Sequence, residues 1–395
     1  MTDIPSPLGS PTHPCTCKPL IIVHGGAGTI LHAHTEAAIK AVRNGAAAGY
    51  AVLKAGGTAL DAVQAAVMSL EDDPSVNAGR GSVLTSDGTI ELDASIMRGA
   101  DLAAGAISGL PGRAGVRNPV ALARAVMEKT PHCLLTGDGA VRFAKEIGVP
   151  TAQLELEPRT NPFVETRVEL VDPDYHMTEK SIASLHRHFA TLKFAGEDFT
   201  TSAPPSSVMA CAMSGLSESD GSKVQQSTKV EEPEGKYEMS HHDGHDTVGA
   251  VAIDCYGRLA AATSTGGMTG KRPGRVGDSP IVGSGIYADD ESCAISSTGH
   301  GESFIKTVFC MRVMDQLREL TKDGRKADDE ITSLAVQRAL DYMKNRVGGK
   351  GGAICISKDG GIGWARTSEH MAYALVDKNG VLTAGITGPA HSEQL

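Results

Sequence analysis

His245-Asp246-Thr247-Val248-Gly249-Ala250-Val251-Ala252-Ile253-Asp254 joins two segments of opposite character. Upstream, from about residue 200, Ser, Glu, Lys, Gly and Pro dominate and apolar periodicity is absent, which reads as a flexible linker over 200–246. Downstream, a short apolar run begins abruptly at Thr247 and reads as a buried strand. A Thr that opens a strand is ordinary, because its branched Cβ suits extended backbone. The same position has a second reading. If the Asp246–Thr247 bond were cut, Thr247 would become an N-terminus. A Thr hydroxyl is a weak nucleophile that needs an adjacent base, and its own α-amine, with a pKa of about 7.7–8.0, can be that base.

Outward from this junction, Arg258-Leu259-Ala260-Ala261-Ala262-Thr263-Ser264 forms a second strand, and the turn at Tyr256-Gly257 makes the two a hairpin. Leu20-Ile21-Ile22-Val23-His24 is another buried strand, ending in Gly25-Gly26-Ala27-Gly28. A helix is predicted from about Thr35 with Ile39, Val42, Ala46, Tyr50 and Leu53 on one face, stopped by Gly56-Gly57. Thr58 reads as the N-cap of the next helix, with Asp61 three residues on and Leu60, Val63, Val67 and Leu70 as its apolar stripe. Strand pieces flank the turn Ser86-Asp87-Gly88, and helices are predicted over 119–129, 138–147, 302–320 and 329–347. Hairpins turn at Asp359-Gly360 and Asn379-Gly380. Strands grouped with helices in both halves point to α/β layers.

Composition narrows the function. Among 395 residues, Lys plus Arg is 37 against 47 for Asp plus Glu, a formal charge of −10, which argues against general nucleic-acid binding. Aromatic residues are 4% and Gly numbers 46, so the core must come from Ala, Val, Ile and Leu. No run of about 18 apolar residues is present, and the Pro- and Ser-rich stretch 1–18 reads as a disordered tail without signal-peptide character, so the cytoplasm is the expected location. The cysteines are scattered, which fits reduced thiols better than a metal or disulfide framework. His241, His242, Asp243 and His245 stand in the linker and read as flanks of the junction rather than metal ligands.

Several further stretches complete a pattern: Thr263-Ser264-Thr265-Gly266-Gly267, Gly274-Arg275-Val276-Gly277-Asp278-Ser279-Pro280, Ser297-Thr298-Gly299-His300-Gly301-Glu302, Leu70-Glu71-Asp72-Asp73-Pro74, Asn77-Ala78-Gly79, Asp93-Ala94-Ser95-Ile96-Met97 and Met127-Glu128-Lys129-Thr130-Pro131-His132. With His24-Gly25-Gly26-Ala27-Gly28 and the junction itself, the chain resembles the N-terminal-nucleophile hydrolases of the asparaginase-2, or plant-type, family over about residues 19–150 and 247–388.

The resemblance implies an α+β, four-layer αββα sandwich. It is made as one proenzyme and autocleaved before Thr247 into an α part (19–199 and the linker) and a β part (247–395). Thr247 would be cleavage residue and nucleophile, with Thr265 hydrogen-bonded to it. Arg275 and Asp278 would clamp a substrate's α-carboxylate and α-ammonium, a pairing that suits bidentate Arg and a carboxylate. Thr298 and Gly299 would bind substrate and supply the oxyanion hole, and Asn77 would support the nucleophile. The carbonyls of Leu70, Glu71, Asp73, Val76, Ala78 and Arg80 would hold a structural sodium ion, and catalysis would need no cofactor. Expected substrates are L-asparagine and short β-aspartyl peptides, the expected assembly is an (αβ)2 dimer of processed pairs, and no nucleic-acid or membrane partner is expected. Plant-type members usually carry Gly before the nucleophile, whereas this chain has Asp246, as in the glycosylasparaginase branch. Alternatives are therefore a glycosylasparaginase, a threonine-aspartase-type endoprotease and an unprocessed binding protein.

Overall fold

In this computed structural model the described residues are 17–150, 167–194, 247–387 and 392–394. The tail expected over 1–18 lies outside them except for Cys17 and Lys18, and the whole 200–246 linker, with Asp246 and the His241–His245 cluster, lies outside them too.

The strands are β1 Leu20–Gly28, β2 Glu91–Arg98, β3 Ala104–Pro111, β4 Leu134–Thr136, β5 Val149–Pro150, β6 Glu169–Leu170, β7 Val248–Ile253, β8 Leu259–Thr265, β9 Ile286–Ala288, β10 Cys293–Gly299, β11 Gly351–Ser357, β12 Ile362–Arg366, β13 His370–Val376, β14 Val381–Gly385 and β15 Ser392–Gln394. The α-helices are α1 His32–Lys54, α2 Ala59–Glu71, α3 Pro119–Lys129, α4 Gly137–Ile147, α5 Glu179–Phe194, α6 Gly301–Thr307, α7 Phe309–Leu320 and α8 Asp329–Val347. One sheet runs β15-β14-β13-β1-β7-β8-β2-β3-β4 and a second runs β12-β11-β10-β9. β7 therefore sits in mid-sheet between β1 and β8, so strands from both sides of the junction share one set of hydrogen bonds.

Side-chain parity shows how the layers stack. Successive residues of a strand point to opposite faces. Ile21 and Val23 of β1, Val248 and Ala250 of β7, and Ala260 and Ala262 of β8 enter one core with α1, α2 and α3. Their neighbours Ile22, Val251 and Ala261 face the other way and meet Ile354 and Ile356 of β11 in a core between the two sheets. The far face of the second sheet, with Ile295, Ala353 and Cys355, packs on Phe309, Val313, Ala339 and Leu340 of α7 and α8. The four layers are thus helix, sheet, sheet and helix: an αββα sandwich with three apolar interfaces.

Local signals account for most element ends. Thr58 caps α2 through a complete capping box with Asp61. α8 stops at Gly348, whose φ of 69° is the left-handed stop that glycine favours. The helix expected from Glu302 to Leu320 is two helices. Val308, at φ 47°, is left-handed, which a β-branched residue rarely adopts, and the break turns its side chain out to solvent instead of onto the core face. Among the described residues no helix is long and apolar enough to cross a membrane.

Candidate active site

The same parity gathers the chemistry-bearing residues. Thr247 shares a face with Val251, Thr265 with Ala261, Thr298 with Ala294, and His24 with Ile22: all face the gap between the sheets. β7 and β8 are antiparallel with Val248 opposite Ser264, so the residue before one meets the residue after the other. The Thr247 hydroxyl donates to Thr265 Oγ1 over 3.2 Å. Thr265 Oγ1 in turn accepts the Gly267 N–H at 2.9 Å, within a turn where Gly267 takes φ 79°.

Asn77 secures that turn from behind. Its Nδ2 donates to the Gly267 carbonyl at 2.7 Å, its Oδ1 accepts the Val83 N–H at 3.0 Å, and its own carbonyl accepts the Gly266 N–H at 3.0 Å. Ser264, on the opposite face of β8 from Thr265, donates to Glu71 Oε1 at 2.6 Å, and that oxygen also accepts the Val120 N–H at 3.0 Å. Burial raises the Glu71 carboxyl to about 8, so it is largely neutral at pH 7.

A small cleft opens above the two threonines. It is lined by Thr247, Thr265, Gly267, Met268, Arg275, Gly277, Asp278, Ser279, Gly299 and Gly301. Arg275 and Asp278 converge from one loop: a Cβ added to Gly301 would stand 2.9 Å from Arg275 Nη2 and 3.0 Å from Asp278 Oδ1. The two are not an ion pair with each other. Arg275 Nε and Nη2 are held by Glu302 Oε1 and Oε2 at 2.9 and 2.8 Å. The Ser297 hydroxyl donates to Asp278 Oδ2 at 2.9 Å. Burial raises the Asp278 carboxyl to about 7, against the opposing effects of Ser297 and the Arg275 charge. Despite its own partial burial, Glu302 is held down at about 2 by Arg275.

Of the residues singled out in the sequence, Thr247, Thr265, Arg275, Asp278 and Gly299 border one cleft. Thr298 is fully buried immediately behind Gly299, at the end of β10. Asp246 lies outside the described residues. A larger groove of about 340 Å3, bounded by Glu91, Arg113, Met177 and Pro273 among others, contains none of these groups. Size is therefore a poor guide here, and the converging charges and paired hydroxyls mark the smaller cleft.

Sequence reading missed the supporting partners Glu302 and Ser297, and two buried groups. His24 Nε2 and Ser296 Oγ share a 2.8 Å hydrogen bond, Ser296 Oγ and Thr263 Oγ1 another of 2.8 Å, and burial lowers His24 to about 3, leaving it neutral. Lys271 is nearly buried against Gly267, donates from Nζ to the Glu91 carbonyl at 2.8 Å, and has its pKa lowered by burial. The strand alternation Ile22–His24 was the available signal for His24; nothing local marks Lys271.

The carbonyl loop after α2 is tightly folded. A Cβ at Gly79 would stand 2.4 Å from the Glu71 carbonyl oxygen, and one at Gly81 would overlap the Val76 carbonyl. The Leu70, Asp73 and Ala78 carbonyls accept backbone N–H groups from Asp73, Val76 and Gly81. Among the described residues no group of three His, Cys, Asp or Glu is placed to hold a metal ion.

Comparison with known proteins settles the family. The asparaginase family model matches residues 17–386. The chain belongs to the asparaginase family. It is 39% identical to rat isoaspartyl peptidase/L-asparaginase over 98% of this chain and 96% of the rat protein. Identity is 38% to the human protein of that name, over 93% and 96%, and 37% to that of Xenopus laevis, over 93% and 95%. These asparaginases match it across both sides of the 200–246 stretch, so the likeness is not confined to one half.

Proposed function

We propose that this asparaginase-family chain is an amidohydrolase that cuts its own backbone before Thr247 and then hydrolyses L-asparagine and N-terminal β-aspartyl peptides. The observation that carries this reading is the Thr247 hydroxyl, 3.2 Å from Thr265 at the floor of a cleft that also holds Arg275 and Asp278. The names of the 36–39% identical relatives support it.

In maturation, the Thr247 hydroxyl attacks the Asp246 carbonyl carbon, the C–N bond breaks, and the acyl group rests on oxygen as an ester. Water then releases the Asp246 carboxylate and a Thr247 with free amine and hydroxyl. In turnover, that amine accepts the hydroxyl proton as Oγ1 attacks the substrate's side-chain carbonyl. The Thr298 hydroxyl and Gly299 N–H stabilise the oxyanion, each such donor contributing about 2.7–4 kcal/mol to the transition state. Ammonia, or the amine of the residue that followed the β-aspartyl group, leaves with the proton, and water hydrolyses the aspartyl-threonine ester to free aspartate. Thr265 fixes the nucleophile's rotamer. Arg275 takes the α-carboxylate and ionised Asp278 the α-ammonium, a pairing that selects free or N-terminal aspartyl groups.

A sodium ion is part of this reading as a structural group. The Glu71 and Val76 carbonyls, crowded against Gly79 and Gly81, would help to hold it with those of Leu70, Asp73, Ala78 and Arg80. Its charge would offset converging carbonyl dipoles and stiffen the loop that carries Asn77. A cytoplasmic location is supported by six cysteines among the described residues that remain thiols, four of them buried. The assembly would be an (αβ)2 dimer of processed pairs.

The test is hydrolysis of β-aspartyl-leucine, L-asparagine and N-acetylglucosaminyl-asparagine by the matured protein. Release of aspartate from the first two supports the assignment. Preference for the glycosylated amide would replace it with the glycosylasparaginase reading.

A further inference from the structure

We propose that Glu302 is the positioning residue of the Arg275 clamp: it occupies one edge of the guanidinium and so dictates which edge a substrate carboxylate meets. The inference rests on the clamp assigned to Arg275 above. An arginine has five N–H donors in a planar fork. Glu302 takes the Nε and Nη2 donors of one edge, at 2.9 and 2.8 Å, in the bidentate geometry that fixes a guanidinium plane as well as its position.

What remains is the Nη1 end and the outer Nη2 hydrogen. Both border the cleft: a Cβ at Gly277 would stand 2.9 Å from Nη1, and one at Gly301 would stand 2.9 Å from Nη2 and 3.0 Å from Asp278 Oδ1. The outer Nη2 hydrogen of Arg275 and Oδ1 of Asp278 thus flank one spot at Gly301, as a carbon bearing both carboxylate and ammonium requires. Without Glu302, the long Arg275 side chain has no such anchor and can turn the wrong edge, or no edge, toward the cleft.

Glu302 is suited to a fixed role. It stands in the first turn of α6, directly after Gly301, so helix and clamp are built together. Its other polar neighbour is His300, whose Nε2 lies 3.5 Å from Oε2. Arg275 keeps the carboxyl ionised far below neutrality, so the anchor persists across the working pH range. Glu302 does not line the cleft, and it acts on substrate only through Arg275.

The experiment uses full-length Glu302→Gln and Glu302→Ala. Cleavage at Thr247, read by intact mass, controls for folding, because that step involves no α-carboxylate. With β-aspartyl-leucine, KM should rise about tenfold in the Gln variant and further in the Ala variant, with kcat within about twofold of the parent. β-Alaninamide has the amine and the amide but no α-carboxylate, and its kcat/KM should be the same in all three proteins. An unchanged or lower KM for the dipeptide, or an equal loss on β-alaninamide, overturns the proposal while leaving the catalytic assignment standing. A matured parent that hydrolyses neither compound overturns both.

Discussion

Thr247 and Thr265 end adjacent antiparallel strands and place their hydroxyl oxygens 3.2 Å apart, with Thr265 also accepting the Gly267 N–H at 2.9 Å. Thr265 is therefore held by its own turn and holds Thr247 in consequence. Thr265→Val keeps shape and loses both bonds. In the matured protein kcat should fall by about tenfold or more while KM changes little, checked by steady-state kinetics on a β-aspartyl dipeptide.

Burial puts the Asp278 carboxyl at about 7, and a carboxylate must be ionised to hold an ammonium. The Thr247 amine, with a free pKa of about 7.7–8.0, must also be unprotonated. On the acid side log kcat/KM should therefore fall with a slope approaching two. In Asp278→Asn the slope should approach one, and kcat/KM at pH 8.5 should be lower by about 10- to 100-fold. A slope of two retained in the variant would remove Asp278 from the ammonium site.

Gly301 separates the two clamp groups with no side chain of its own. Gly301→Ala puts a methyl 2.9 Å from Arg275 Nη2 and 3.0 Å from Asp278 Oδ1. KM should rise by about 10- to 100-fold, with maturation at Thr247 proceeding as before. Kinetics beside an intact-mass spectrum check both halves.

Glu71 contributes a pH-dependent stability whose sign follows from its shift. Its folded carboxyl keeps the proton up to about 8, whereas the unfolded one loses it near 4.5. Between these values the folded state binds more protons, so this contribution is full below about 4.5 and is lost as pH rises through about 8. Glu71→Gln cannot ionise and should flatten that decline. Thermal midpoints from pH 5 to 9 should fall more steeply for the parent than for the variant.

Much of this site is readable in the chain because strands alternate strictly. Once the run after Thr247 is taken as a strand, alternation fixes which neighbours in its own strand Thr247 shares a face with, and likewise for Thr265 and Thr298. The β7–β8 register that sets Thr247 beside Thr265, and the facing of Thr298 from the second sheet, come only from the fold. The pairing of Arg275 with Glu302 is not readable that way: 27 residues separate them, and only the meeting of the 271–277 loop with the start of α6 joins the two. Val308 was also illegible. Its neighbours continue a helical stripe, and a β-branched residue gives no warning of a left-handed break. Neutral His24 and Glu71 reach their states through burial by distant strands and helices, which no local pattern encodes.

The central claim is that Thr247 becomes an N-terminal nucleophile. Its most direct test is the intact mass of the purified protein and of its Thr247→Ala variant after incubation at neutral pH. The parent should yield a fragment of 149 residues beginning at Thr247 (395 − 246), and the variant a single uncut, inactive chain. A Thr247→Ala protein that is still cleaved and still releases aspartate would contradict the claim.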